Sequence, residues 1–594
     1  MPMRNPFRLD VVLLHAPSVY DYRRDPALFG PISDVIPSGS IFDMYPMGLT
    51  SIGGVLERSG YNARIINMAA LMRHSPDYDP EPLIARLKPL LFGVDLHWLP
   101  HAHGAIEVAR LIKRHHPRTP VLLGGLSASF YHEELIRDFP MVDFVLRGDS
   151  TEPAVVALVQ ALVTRTPLEA VPNLTWRRPD GTVAVNPMSH VPADLDYTSV
   201  PHYRYAIRAS LKYGNVRAVL PYLGWWDYPI TALLTARGCA LQCAVCGGSR
   251  DAFRRICARE RPAYRSAEAL ARDVATIRRF TRGPIFVIHD IRMGGLPRAR
   301  RFLELLAARP IDNELILELF SPAEDDFFRQ VAAAAPNFSV QITLESQDPE
   351  LRRLNGKFPV SNAEAEATIA AALGHGARYV DVFFMVGLPG QTPASALGVA
   401  DYAAHLLERF PGGRVRVFAA PLAPFLDPGS RAFTAPEVWG YRLRFHSLAE
   451  HRAALAAPSW KHMLNYETEH MDRDALVETT YALAVRLIHL KARHRLLSPE
   501  EERLLVERIR RSQEVIRAID AALEEADPAL RAHRLARARA EAKDLQDAGT
   551  LNRKTEMFWP IPHRVFRLLS LTGLLLSLAA EEIARTVKRT FARP

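Results

Sequence analysis

Cys239, Cys243 and Cys246 stand in the stretch TARGCALQCAVCGG, a Cys-x3-Cys-x2-Cys triad directly after the apolar run Ile230 to Leu234, and the 594 residues hold only one other cysteine. Cysteine thiolate is the usual ligand of iron–sulfur clusters. Three thiolates can hold three irons of a cubane [4Fe-4S] cluster and leave the fourth iron open to a substrate or cofactor. Structural zinc usually takes four ligands, commonly as two separated pairs, and no second pair follows here. Cys257 lies outside the triad and reads as a buried structural thiol, with a fourth-ligand role as the alternative.

The triad resembles the signature of the radical S-adenosylmethionine (radical SAM) enzymes, whose open iron chelates the amino and carboxylate groups of AdoMet. The resemblance implies reductive cleavage of AdoMet to a 5′-deoxyadenosyl radical, with the protein positioning the cofactor and shielding the radical. Val245 stands before the third cysteine, where that family usually has an aromatic residue; valine still gives a cluster apolar cover.

Such a triad needs a scaffold. Strand-like runs recur at Ile230 to Thr235, Pro284 to Asp290, Leu315 to Phe320, Ser339 to Glu345, Tyr379 to Val386 and Arg414 to Ala420, each followed by a helical pattern. Ser266, with Glu268 behind it, is a plausible helix start. Six such units predict a partial TIM-type barrel, the fold the resemblance also implies, with active residues at the carboxyl ends of its strands. Further AdoMet-binding residues follow from the resemblance. Glu345, at the fourth strand end, matches a polar residue near the ribose or amino acid portion, and Gly387-Leu388-Pro389-Gly390 resembles the turn beneath the adenine, where backbone contact is expected. His289 and Asp290 end the second strand near the family's site for the AdoMet amino group. The usual Gly-Gly-Glu is absent, because Leu296 follows Gly294-Gly295. Each of these residues also reads as an ordinary strand-end turn or a satisfied polar group.

Ahead of the triad, Val11 to Leu14, Ala63 to Met68, Leu90 to Val94, Val121 to Leu123 and Asp143 to Leu146 read as strands. They alternate with helical segments at Gly48 to Arg58, Ala105 to Arg114 and Glu152 to Leu162. This alternation predicts a doubly wound α/β sheet of flavodoxin-like type that binds ligands at its carboxyl edge, where Gly124-Gly125 and Gly148 lie. The passages YPMGLTSIGGVLERSGYNARIINM, LLGGLSASFYHEEL and VDFVLRGDSTEP resemble the cobalamin-binding domain that precedes the barrel in one subgroup of radical SAM enzymes. The resemblance implies cobalamin against Gly124, Gly125 and Gly148. Asp95-Leu96-His97 is followed by Pro100 where the cobalamin motif Asp-x-His-x-x-Gly has glycine, so no histidine ligand to cobalt is expected. A flavodoxin-like domain without corrinoid is the alternative. His97, His101 and His103 have metal-like spacing but read first as helix-start or pocket-lining residues.

The expected organisation is a cobalamin-binding-like α/β domain over 1–165, a linker with a β-hairpin around Pro179-Asp180-Gly181 over 166–229, and the partial barrel over 230–434. A helical region over 435–550 and a basic, apolar C-terminal helix over 551–594 complete it. Ser498-Pro499-Glu500-Glu501 marks a strong helix start, followed by a packing face through Leu505, Ile509, Ser512, Ile516 and Ile519. The last segment carries eight Lys or Arg against three Glu around the run Leu568 to Ala580. That run is too short to span a membrane as one helix. With Phe558 and Trp559 before it and Arg585, Lys588, Arg589 and Arg593 after it, it suits an anionic bilayer surface. Docking on the barrel is the equal alternative.

At 48% hydrophobic and 23% charged, with four cysteines, the chain has the composition of an intracellular globular enzyme without a disulfide framework. Four consecutive apolar residues before His15 are too few for a signal-peptide core, and a cytoplasmic location is expected, with peripheral membrane contact through 551–594. The net charge of +9 comes without a basic groove interleaved with aromatics, so nucleic acid is not expected as a partner. The resemblance implies a [4Fe-4S] cluster, AdoMet and cobalamin, an electron donor such as flavodoxin or ferredoxin, and methyl transfer to a weakly activated carbon of a small or lipid-like molecule. Radical cyclisation or rearrangement, and an iron–sulfur or corrinoid electron carrier or sensor, are the alternatives.

Overall fold

The computed structural model describes residues 9–33, 39–199, 203–422, 425–546, 551–567, 572–573, 575–578 and 580. Five short apolar runs become the parallel strands β1 (Val11–His15), β2 (Ala63–Asn67), β3 (Leu91–Asp95), β4 (Val121–Gly124) and β5 (Phe144–Leu146). Nearly every residue in them is buried, as a sheet covered by helices on both faces requires. The helices Gly48–Arg58, Ala102–His115 and Glu152–Thr164 supply that cover. The spatial order β2-β1-β3-β4-β5 reverses between β1 and β3, and ligands bind outside the carboxyl ends of strands at such a switch point.

The hairpin expected within the linker forms as β6 (Leu174–Arg177) and β7 (Val183–Val185), but it does more than space two domains. It pairs antiparallel onto β5 and extends the first sheet to seven strands. Trp176 and Ala184 are buried against that sheet's core, so the hairpin is held by packing as well as by its turn.

The second sheet comprises β8 (Thr231–Leu234), β11 (Ile285–Ile288), β12 (Leu315–Leu319), β13 (Phe338–Glu345), β14 (Val380–Val386) and β15 (Val415–Pro421). Between β8 and β11, β9 (Ala236–Arg237) and β10 (Ala263–Tyr264) form a small antiparallel ribbon. The six main strands are parallel and stand side by side in chain order, the connectivity of a partial (β/α)6 barrel. Ser266 caps the helix Ala267–Phe280 by accepting from the Ala269 N–H. Beyond the barrel run the helices Arg473–Arg493, Pro499–Leu523 and Pro528–Lys543. Ser498 and Glu501 complete the expected capping box, and Leu505, Ile509, Ser512, Ile516 and Ile519 are all buried.

The segment ahead of the last apolar run has a role the sequence did not indicate. Trp559 is buried with Tyr228 and Ile316, beside Phe286 and Tyr379, all at the amino-terminal ends of barrel strands. Phe558 stacks on Tyr228 with ring centroids 4.1 Å apart. These aromatics, read from sequence as flanking a membrane-surface helix, close the bottom of the barrel. Of the run Leu568 to Ala580, residues 572–573, 575–578 and 580 are described as helical; Arg585, Lys588, Arg589 and Arg593 lie outside the described residues. Among the described residues no helix is long and apolar enough to cross a membrane.

Candidate active site

The cysteine loop leaves the carboxyl end of β8 and is clasped from two sides. Ala244 N–H donates to the Asn355 carbonyl at 2.6 Å, and its own carbonyl accepts from Ala432 N–H at 2.9 Å. Gly238, at φ +85°, turns the chain into Cys239. Two backbone amides already point at sulfur: Leu241 N–H at 3.4 Å from Cys239 Sγ and Gly248 N–H at 3.2 Å from Cys246 Sγ. Val245 is buried, consistent with apolar cover.

Burial pushes all three thiols above their ordinary range, Cys243 to about 12; the charge of Cys239 adds to the rise at Cys243, and those of Cys243 and Cys239 add to the rise at Cys246. That mutual repulsion places the three sulfurs within electrostatic reach of one another. Cationic iron is what such a set needs to become thiolate, because metal binding displaces thiol protons. Among the described residues no three His, Cys, Asp or Glu side chains converge on one point as ligands of a single ion. A cubane places each thiolate on a different iron, so the triad fits the cluster by donor type and number. Cys257 is 1% exposed and packs with Ala252 and Ile256 beside Leu126 and Phe130, an apolar setting that raises its thiol.

Around the triad the strand ends bring together charged groups. Glu345 closes β13 where the register to β14 shifts, at φ +71°, and Asn355 Nδ2 donates to its Oε2 at 2.7 Å. Lys357 Nζ lies 3.5 Å from Glu345 Oε1 and also donates to the Thr343 carbonyl. Its charge lowers the thiols of Cys239 and Cys243, while Glu345 raises Cys243 and Glu318 raises Cys239. Glu318, inside β12, is itself raised by burial and accepts from the His289 N–H at 2.8 Å. His289, at φ +72°, packs against Tyr264 and Phe320, is lowered by burial, and has no hydrogen-bond partner for its buried Nε2 among the described residues.

Asp290 differs from the sequence reading. Both its oxygens are occupied by Arg292, at 2.9 and 2.6 Å, and by the amides of Arg292 and Phe320, so it organises the strand end rather than facing a ligand. Gly387 likewise has its N–H on Gln391 Oε1 at 2.8 Å and its carbonyl on Tyr441 Oη at 2.6 Å. The turn Gly387-Leu388-Pro389-Gly390 is therefore a preformed wall, with Gly387 at φ +98° and Gly390 at φ +70°, rather than a set of free backbone groups. Glu318, Lys357 and Tyr264 escaped the sequence reading. A lone carboxylate in the apolar run LILELF was a legible signal for Glu318; Lys357, in an ordinary loop, offered none.

At the first sheet, Gly124 ends β4 and Gly125, at φ +114°, caps the helix Leu126–Phe130. A side chain at Gly125 would meet His97 Cα at 2.4 Å, so the β3 and β4 loops touch backbone to backbone. Gly148, at φ +107° after β5, donates its N–H to Ser129 Oγ at 2.9 Å, and that hydroxyl donates to the Gly125 carbonyl at 2.7 Å. The three glycines thus lie along one connected carboxyl edge. The histidines do not cluster: His101 Nε2 contacts the Phe42 carbonyl, His103 Nδ1 accepts from Tyr20 N–H, and His97 lies against Gly125. This edge opens a helix that reaches the second domain. Leu126 and Phe130 pack on the helix Arg250–Cys257, which follows the triad directly.

The B12 binding domain family matches residues 40–158, over the first sheet, and the Radical SAM superfamily matches residues 233–403, over the triad and the barrel. The chain thus carries a B12-binding domain followed by a radical SAM domain. Its radical SAM domain implies a [4Fe-4S] cluster and AdoMet, and its B12-binding domain implies cobalamin. The hopanoid C-3 methylase of Methylococcus capsulatus is 25% identical over 279 residues, 46% of this chain and 47% of that protein. An uncharacterised methyltransferase of Pyrococcus horikoshii is 24% identical over 34% of this chain and 40% of its own length. The matched region of this radical SAM protein thus spans less than half of each of these relatives. Among solved structures, the radical SAM methyltransferase TsrM of Kitasatospora setae with cobalamin and cluster bound aligns at TM-score 0.54 and 17% identity, over 75% of this chain and 81% of that one. The cobalamin-dependent AdoMet radical enzyme OxsB aligns at TM-score 0.53 and 14% identity, over 98% of this chain and 81% of its own. At these identities the two share the fold.

Proposed function

We propose that this chain is a cobalamin-dependent radical SAM methyltransferase acting on a weakly activated carbon of a lipid-like substrate. The single observation that carries the reading is the packing of Leu126 and Phe130, on the helix that Gly125 opens, against the helix Arg250–Cys257 that follows the cysteine triad, which supports a corrin site and a cluster site lying side by side. When bound, the cluster with AdoMet supplies one-electron cleavage chemistry and cobalamin a transferable methyl group. The protein's own groups supply the rest. Cys239, Cys243 and Cys246 hold the cluster, and Lys357, beside Cys239 and Cys243, offers an ammonium to the AdoMet carboxylate. Glu345 and Glu318 accept from the amino or ribose donors, and His289 Nε2, without a hydrogen-bond partner among the described residues, binds beside them. The wall at Gly387, Pro389 and Gly390 supports the adenine by contact. Gly124, Gly125 and Gly148 admit the corrin against the backbone.

An acidic electron donor of the flavodoxin or ferredoxin class would supply the cluster's electron, and the basic residues Arg585, Lys588, Arg589 and Arg593 would meet an anionic membrane that holds the substrate, beyond Leu578, which packs on Phe280. The similarity to a hopanoid methylase supports the lipid assignment. The alternative, radical cyclisation without methyl transfer, rests on 24% identity over 208 residues to the anaerobic magnesium-protoporphyrin IX monomethyl ester cyclase of Rubrivivax gelatinosus and is the less favoured reading.

The test is anaerobic purification with iron, sulfide and hydroxocobalamin, followed by measurement of cobalamin per chain and of AdoMet cleavage to deoxyadenosine. Near-stoichiometric cobalamin, and loss of both cluster and deoxyadenosine in Cys243→Ala, support the proposal. An intact cluster with no retained cobalamin moves the assignment to non-methylating chemistry.

A further inference from the structure

Two buried ion pairs bridge the sheets where the sites meet. Arg259 grips Asp149 through Nε at 2.5 Å and Nη2 at 2.8 Å, with Ser150 Oγ at 3.2 Å from Nη2 and the Pro192 carbonyl at 3.0 Å from Nη1. Arg237 grips Glu152 through Nη2 at 2.5 Å and Nη1 at 3.0 Å, and Ser51 Oγ donates to Glu152 Oε1 at 2.7 Å. The side chains are 3% and 7% exposed in the first pair and 11% and 2% in the second.

Their places in the chain give them meaning. Asp149 follows Gly148 directly, and Glu152 opens the next helix, so both acids belong to the carboxyl edge of the first sheet. Arg237 precedes Cys239 by two residues, and Arg259 follows the helix Arg250–Cys257. One pair therefore holds the upstream flank of the cysteine loop and the other the downstream flank. Gly238 completes the fit: a Cβ there would lie 2.7 Å from Arg259 Cδ, so only glycine lets the arginine stem pass beside Cys239.

Buried ion pairs add little net stability compared with apolar packing, because desolvation offsets the attraction. Bidentate arginine–carboxylate bonds add direction instead. Two forks on opposite flanks fix both separation and orientation, which a methyl transfer across two cofactors needs to within about an ångström.

We propose that Arg259–Asp149 and Arg237–Glu152 are positioning residues, a two-point lock that sets the corrin site at one fixed distance and angle from the cluster. The proposal rests on the reading of the first domain as a cobalamin site.

The test uses full-length protein reconstituted with both cofactors and reduced to the paramagnetic cob(II)alamin and [4Fe-4S]+ forms, with the magnetic dipolar coupling between them read by pulsed electron paramagnetic resonance. Asp149→Asn/Arg259→Met removes both charges of one pair and leaves no buried charge alone; Glu152→Gln/Arg237→Met does the same for the other. Both should load iron and cobalamin as wild type does, with the coupling broadened or weakened at least about twofold, because two sites freed by one fork sample a range of separations. Full loading with unchanged coupling overturns the lock. Where a double variant loads poorly, hydrogen exchange decides: faster exchange at 147–152 together with 236–246, at an unchanged melting temperature, supports it, and wild-type protection overturns it. If wild type itself retains no cobalamin, the corrin reading fails, and the lock stands or falls on that exchange comparison.

Discussion

Lys357 and Glu345 form a buried pair at the carboxyl end of the barrel, Nζ to Oε1 3.5 Å apart, with side chains 9% and 6% exposed and both charges felt by the Cys243 thiol. At that separation the pair is not closed into a tight salt bridge, and the ammonium keeps donor capacity for an incoming anion. A cationic and an anionic group side by side match the carboxylate and ammonium of an amino acid.

Lys357→Met should therefore weaken AdoMet binding about 10- to 100-fold, the loss of one charge-assisted hydrogen bond worth ~1.5–3 kcal/mol. Equilibrium binding of AdoMet to the reconstituted protein measures it, with iron content as the control. Unchanged affinity removes Lys357 from the site and leaves it a partner of Glu345 alone.

Gly125→Ala is expected to cost roughly 1–3 kcal/mol and most of the cobalamin retention, since φ is +114° and the new Cβ would meet backbone rather than a movable side chain. Gly376→Ala is the matched control. It has φ +94° but nothing within 4 Å, so it carries the backbone strain without the collision. Thermal melting and bound cobalamin per chain, compared between the two variants, separate strain from displacement of the His97 loop.

Both sheets were legible because their strands are buried on two faces and read as short apolar runs set apart by helical spacing. Ser266 and Ser498 marked their helices by local chemistry that tertiary packing left alone. The triad was legible for the same reason, since its ligands sit within eight residues. What escaped was built by long-range pairing: Lys357 beside Glu345, Arg259 on Asp149, and Trp559 under the barrel are contacts over chain separations that no local pattern encodes. Asp290 stayed open between a ligand group and a satisfied polar group, because only the fold shows that Arg292, two residues on, already uses both carboxylate oxygens.

Acid should destabilise the protein ahead of any general carboxylate titration. Burial pushes His97 and His101 each down to about 4. Above the ordinary imidazole value both folded and unfolded chains carry them neutral, and stability does not change. Between about 6.5 and 4 only the unfolded chain takes up these protons, so stability falls with falling pH, by up to roughly 3 kcal/mol for the fully buried His101 and by less for the partly exposed His97. Below 4 the slope from this source ends. His101→Gln should flatten the fall in melting temperature between pH 6.5 and 4.5; an identical slope means His101 does not contribute to it.

The C-terminal segment separates into two parts that should fail differently. Up to Arg567 it is structural: Trp559 N–H donates to Tyr228 Oη at 2.9 Å, Arg416 Nη1 donates to the carbonyls of Glu556 and Phe558 at 2.7 and 3.0 Å, and Lys491 pairs with Glu556 at 2.7 Å. Trp559→Ala should cost about 3 kcal/mol by opening the bottom of the barrel. Removing everything from 551 onward would break these contacts too, and would confuse lost folding with lost membrane contact. A chain ended after Arg567 keeps these contacts and loses, among the described residues, the packing of Leu578, which is buried against Phe280 beside Tyr203 and Ile207, so its stability should fall by about 1–3 kcal/mol, the worth of one buried leucine. It should also lose sedimentation with anionic liposomes if the basic apolar run is the membrane contact. Equal liposome binding by that shortened chain would eliminate the membrane assignment while leaving the barrel plug untouched, because the two depend on different residues.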